Sequence, residues 1–124
     1  MSIRNYIYGE GNLPDNVREK ARTHLPLLEC PDKVKEGEIL RLRIRVEGHP
    51  NRIDHYISSI DVYFSEDDRP FNPVKIAHIE LMPEYAEPII ELGLRLRKSG
   101  TIHVVAYCTT HGLWESARRI VVEK

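Results

Sequence analysis

At 124 residues, with 41% hydrophobic and 30% charged side chains, the chain has the size and make-up of one soluble globular domain. A formal net charge of −1 leaves no overall basic field for nucleic acid, and no apolar run approaches the roughly 18 residues of a membrane-spanning helix. A globule of this size buries enough apolar surface to fold without disulfides or metal, so a metal here would serve function before structure.

The opening stretch "MSIRNYIYGEGNLPD" lacks the basic-then-apolar layout of a secretory signal, which points to a cytoplasmic protein. Cys30 and Cys108 are then expected as free thiols. Residues 1–31 alternate poorly and carry Gly9, Gly11, Pro14, Pro26 and Pro31, so they read as irregular, with a short helical piece over 16–22. After them the period becomes two. "ILRLRIRV" sets Leu40, Leu42, Ile44 and Val46 against Arg41, Arg43 and Arg45, the pattern of a half-buried strand. Its arginine face is expected to be solvated, or to guard a sheet edge; a subunit contact there stays open, and no interleaved aromatics offer bases a stacking platform.

"YISSIDVYF" alternates in the same way through Ile60, Val62 and Phe64, and "PVKIAHIEL" is a weaker strand between Pro73 and Pro83. "IIELGLRLR" alternates Ile90, Leu92, Leu94 and Leu96 with polar residues and Gly93. "KSG" turns the chain into "TIHVVAYC", the most apolar strand, and "RRIVVE" closes the chain. Short strands with Gly and Pro punctuation and no long helix predict an all-β, antiparallel sandwich forming a single domain over 1–124.

Six histidines in such a chain call for an explanation. His24 lies in "RTHLP", His49 and His55 in the loop "GHPNRIDHYI", and His111 just after Cys108 in "CTTHGLW". All four are placed in or beside loops, where a sandwich gathers its functional residues. His78 and His103 fall inside strands and are read as packing or surface residues. A single loop histidine is usually polar surface, "GHPN" is also a turn signal, and Cys108 taken alone is a small buried hydrophobe. Together, four imidazoles and a thiol suit a redox metal with an open position better than a closed structural zinc site, imidazole being a ligand for iron, zinc and copper alike. Five such ligands describe a square pyramid with one open position, opposite an electron-donating thiolate.

"HLP" (24–26), "GHPNRIDHYI" (48–57), "IDVYF" (60–64), "SGT" (99–101) and "YCTTHGLWES" (107–116) together resemble the superoxide reductase family of neelaredoxins and desulfoferrodoxins. The most specific pieces are "HPN" with a histidine six residues after the first, and C-x-x-H-G-x-W. The resemblance implies an immunoglobulin-like sandwich holding one non-haem iron, cycling between Fe2+ and Fe3+. It implies His24, His49, His55 and His111 as equatorial ligands and Cys108 as the axial one. No further cysteine cluster precedes the sandwich, as in the one-iron class, whose members are commonly homotetramers.

The implied reaction reduces superoxide by one electron to hydrogen peroxide without forming dioxygen, with rubredoxin or a similar donor restoring the iron. The family's Glu-Lys-His-x-Pro motif is altered: Arg22 and Thr23 precede His24, and Glu19-Lys20 stands three residues further back. Lys20 is therefore the candidate to attract the anion, with Arg22 as its rival, and Glu19 a candidate ligand of the oxidised metal. Amides after Cys108, of Thr110 and His111, are expected on the sulfur. Trp114 and Glu115 are expected to pack or orient the loop, and Cys30 to be a small buried side chain. Three other readings remain at this point: a binding module on the same scaffold, an electron carrier with the open position blocked, and a superoxide dismutase.

Overall fold

The computed structural model describes residues 2–124. Two short 3-10 turns, Ile3–Tyr6 and Arg18–Lys20, precede a one-turn helix α1 (Ala21–His24). Strands follow at β1 (Leu27–Glu29), β2 (Lys33–Lys35), β3 (Leu40–Arg45), β4 (Ile57–Glu66), β5 (Val74–Glu80), β6 (Ile89–Leu94), β7 (Gly100–Cys108) and β8 (Gly112–Glu123). They form a three-stranded sheet, β1-β3-β6, and a five-stranded sheet, β2-β8-β7-β4-β5.

The core lies between the sheets and follows from the period-two pattern. Leu40, Leu42, Ile44 and Val46 from one sheet meet Ile60, Val62 and Phe64 of β4 and Ile102, Val104, Ala106 and Cys108 of β7, all buried. The sandwich is as expected, as are the strands of residues 40–108.

Several expectations are corrected. The stretch 1–31 is not wholly irregular: β1 lies inside it, antiparallel to β3 through Leu27↔Arg45 to Glu29↔Arg43. The helical piece falls at 18–24 rather than 16–22, so His24 ends a helix and does not sit in a loop. The sheets are not purely antiparallel, because β2 runs parallel to β8 at Lys33↔Val121, Val34↔Val122 and Lys35↔Glu123. The arginine-rich strand is no edge: β3 is central, flanked by β1 and β6, and Arg41 and Arg45 reach across to Glu91 and Glu29 on those neighbours.

The last strand is twice the length that "RRIVVE" suggested, starting at Gly112. Its pattern hides because Ser116 and Arg118 alternate with the outward residues, in step with buried Trp114 and Ile120. Both bond to the backbone leading into and past β1: Ser116 Oγ donates to the Pro26 carbonyl at 2.6 Å, and Arg118 donates to the carbonyls of Leu28 and Cys30. Polar residues can face inward where they satisfy carbonyls that would otherwise go unbonded. This stitching also fixes the chain just after His24.

Candidate metal centre

Three chain segments meet at one end of the sandwich. The first is α1, whose last residue is His24. The second is the loop from β3 to β4, bearing His49 and His55. The third is the tight turn from β7 to β8, bearing Cys108 and His111.

That last turn is set by its ends. Cys108 pairs with Gly112 across the hairpin, and Gly112 has φ +81°, a left-handed conformation that favours glycine. The β3–β4 loop is held from outside by Asn51. Its side-chain oxygen accepts from the Glu84 amide at 2.8 Å, and its amide group donates to Glu87 Oε2 at 2.6 Å. An isolated bridge between Arg52 and His55 tightens the loop further, with both backbone bonds made at 2.9–3.0 Å.

The four imidazoles close a ring. Centroid distances run 4.6 Å from His24 to His49, 4.9 Å from His49 to His55, 5.0 Å from His55 to His111 and 5.1 Å from His111 back to His24. Each ring is steeply inclined to the next, at 67° to 85°. The Cys108 sulfur belongs to the same cluster: it lies 3.2 Å from His49 Nε2 and 3.8 Å from His111 Nδ1. Donor atoms of His24, His49, His55 and Cys108 all lie within 4.8 Å of one another, and His111 stands slightly outside that tightest set.

The second nitrogens decide which atoms face inward. His24 Nδ1 donates to the Lys20 carbonyl at 2.8 Å, and His49 Nδ1 to the Pro50 carbonyl at 2.7 Å. A ring nitrogen that donates to a carbonyl leaves the other as a bare lone pair, the form a metal needs. His24 Nε2 and His55 Nε2 are buried with no hydrogen-bond partner. Two such orphans in one cluster are costly unless something binds them. An ion accepted by three Nε2 atoms, one Nδ1 and a thiolate would satisfy both, so the donor set fits iron.

Electrostatics agree. Burial holds His24 down at about 4, against a raising effect of the Lys20 carbonyl, while His49, His111 and the Lys20 charge push it lower. His49 is lowered by burial first and then by His55 and His111, and His111 by burial, Lys20 and His55. Imidazoles held neutral are ready to ligate.

Of the residues singled out from sequence, these five come together. Lys20 is exposed, one helical turn before His24, and its charge is felt by both His24 and His111. Glu19 and Arg22 are exposed on the same short segment. The His111 amide donates to the Cys108 sulfur at 3.3 Å, as expected; the Thr110 amide is not among the sulfur's donors. Trp114 is fully buried, donates from Nε1 to the His111 carbonyl at 3.1 Å and lies 4.8 Å from the His24 ring, so it does orient the loop. Glu115 instead pairs with His103, which also meets Ser65. His78 bonds to Asp61 on the outer face of β4, and Cys30 is half-buried against the core.

Sequence reasoning missed Tyr8, whose ring lies 4.7 Å from Trp114. Its neighbourhood offered no periodic signal, because Tyr8 joins the sheet through a single parallel bridge.

Comparison with known proteins agrees with this geometry. The family model described as desulfoferrodoxin matches residues 16–117. The solved superoxide reductase (neelaredoxin) of Ignicoccus hospitalis is 41% identical and superposes with a TM-score of 0.93, covering 99% of this chain and 100% of that one. The superoxide reductase of Nanoarchaeum equitans is 32% identical with a TM-score of 0.70, covering 80% and 94% of the two chains. That of Pyrococcus furiosus is 29% identical over 112 residues, covering 78% of this chain and 87% of that protein. The chain belongs to the desulfoferrodoxin family, the iron-centred group of oxidoreductases that includes the superoxide reductases and neelaredoxins it resembles.

Proposed function

We propose that the protein reduces superoxide by one electron to hydrogen peroxide, at one iron that His24, His49, His55, His111 and Cys108 would hold. The observation that carries this reading is the closed ring of four imidazoles gathered about one buried thiol. Iron bound there would supply the electron, cycling between Fe2+ and Fe3+.

The chain's own residues do the rest. Carbonyls of Lys20 and Pro50 fix the tautomers of His24 and His49, so their Nε2 atoms are offered without rearrangement. The His111 amide bonds the Cys108 sulfur and moderates its donation. Lys20 places a cation beside His111 to draw in the superoxide anion, and solvent supplies the two protons that peroxide needs. Glu19, two residues before the helix, is a carboxylate available to the oxidised metal. With the family come further expectations for this chain: a single domain, a rubredoxin-like donor, assembly as a homotetramer and a cytoplasmic setting. No helix among the described residues is long and apolar enough to cross a membrane.

Stopped-flow mixing of the reduced, iron-loaded protein with superoxide tests the proposal. One peroxide per superoxide, with no dioxygen released, is expected. Dioxygen formed in step with peroxide would make the protein a dismutase instead. Binding of iron without any superoxide consumption would leave an electron carrier.

A further inference from the structure

An iron centre that makes hydrogen peroxide works beside its own hazard. Once re-reduced by the donor, iron held there would react with peroxide as a strong oxidant, and the nearest targets are the Cys108 thiol and the imidazoles. Cys108 is fully buried.

A short aromatic chain leads away from this point. The His24 ring lies 4.8 Å from Trp114 at a tilt of 38°, and Trp114 lies 4.7 Å from Tyr8 at a tilt of 41°. Both separations are ordinary for interacting rings. The chain is built into the fold. Tyr8 is pinned by two backbone bonds that straddle Trp114, from its own amide to the Leu113 carbonyl at 3.0 Å and from the Glu115 amide to its carbonyl at 2.7 Å. Exposure rises along the path: Trp114 is fully buried, Tyr8 is half-buried, and Tyr8 lines, with the exposed Tyr6, a surface groove whose other side is formed by Lys20 and His111.

From this geometry we infer that Trp114 and Tyr8 form an electron relay that drains oxidising equivalents from the metal centre to the N-terminal surface. It rests on the proposed superoxide-reducing iron centre, since that reaction supplies the peroxide.

Two electrons and two protons convert hydrogen peroxide into two waters. Iron returned to the ferrous state by the donor would supply one electron, and the Trp114 indole gives the other. The indole is refilled from Tyr8, which loses its phenolic proton to solvent and is left a neutral radical. The last transfer favours Tyr8 because its phenol can reach water, whereas Trp114 cannot. A small thiol reductant then returns an electron and a proton to Tyr8 from the groove. Trp114 is the chain's one tryptophan, so no other indole competes for the role.

The test adds hydrogen peroxide directly to reduced, iron-loaded protein, freezes the mixture within milliseconds and records electron paramagnetic resonance spectra. Peptide mass spectrometry then measures oxidation of Cys108 and the ligand histidines. Wild type is expected to give a tyrosyl radical. Tyr8→Phe is expected to lose that signal and to gain ligand oxidation several-fold, with its iron content and superoxide rate unchanged; Tyr6→Phe is expected to behave as wild type. Absence of a tyrosyl radical in wild type, its persistence in Tyr8→Phe, or equal ligand oxidation in both would overturn the relay. Because peroxide is supplied from outside, a missing radical in protein that still consumes superoxide refutes the relay alone. Protein that binds iron but ignores superoxide refutes the proposed function instead, and failure to bind iron refutes both. Tyr8→Phe keeps the test decisive even if Trp114→Phe fails to fold.

Discussion

Acid should weaken the metal-free protein from about pH 6.5 downward, and His24 is the reason. Its ordinary value of 6.5 falls to about 4 in the folded state, chiefly through burial. A base whose affinity for protons is depressed by folding is protonated first in the unfolded chain. Its contribution is therefore complete above pH 6.5 and is lost as the pH falls from 6.5 to about 4. At 1.36 kcal/mol per pKa unit the full window is worth roughly 3 kcal/mol, and the part between pH 7.5 and 5 about 2 kcal/mol. His49 and His111 are shifted in the same direction and add to the slope.

Urea unfolding of metal-free protein at pH 7.5, 6 and 5 measures this. The transition is expected to move to lower urea at each step, and His24→Asn should remove most of the movement. Loss of about 2 kcal/mol is a large fraction of a typical domain's total stability, so it is well within resolution. A midpoint that stays fixed, or rises, between pH 7.5 and 5 would refute the premise that His24 is buried and neutral. Iron-loaded protein should lose stability more steeply in acid, because every ligand proton must displace metal.

Three further outcomes are expected. Lys20→Ala should lower the superoxide rate by about tenfold at low ionic strength and flatten its salt dependence, while Arg22→Ala changes neither, as stopped-flow at several salt concentrations will show. Asn51→Ala unclips the loop that carries His49 and His55 and should weaken iron affinity by roughly 10–100-fold in competition with a chelator, with the visible spectrum of the loaded form largely kept. Gly112→Ala forces a side chain into φ +81° and should cost roughly 1–2 kcal/mol in unfolding experiments, although nothing lies within 4 Å of the added carbon.

The alternating strands were legible because one face of each is buried and the other is wet. Leu40, Leu42 and Ile44 against their arginines state that division outright. The three-residue strands β1 and β2 are too short to show any period, and β8 breaks the rule midway, through Ser116 and Arg118. Their inward placement depends on carbonyls at Pro26, Leu28 and Cys30, some ninety residues earlier in the chain, which no local window contains. The ligand candidates stood out through residue chemistry and spacing, since His49, His55, Cys108 and His111 lie on just two segments. His24, far from them in sequence, joined the set through its place beside Pro26 in the irregular N-terminal stretch, and its helical setting was invisible because one turn of helix carries no amphipathic repeat. Tyr8 was hidden for a related reason: its place beside Trp114 is made by tertiary backbone bonds, and its flanking residues carry no pattern.

The central claim, one iron bound by four imidazoles and the Cys108 thiolate, is tested most directly by the visible spectrum of iron-loaded protein. Oxidised wild type should show a thiolate-to-iron charge-transfer band that bleaches on reduction and is absent from Cys108→Ser. Iron bound without such a band, or a band that survives in Cys108→Ser, would contradict the assignment of Cys108 as a ligand and the centre built on it.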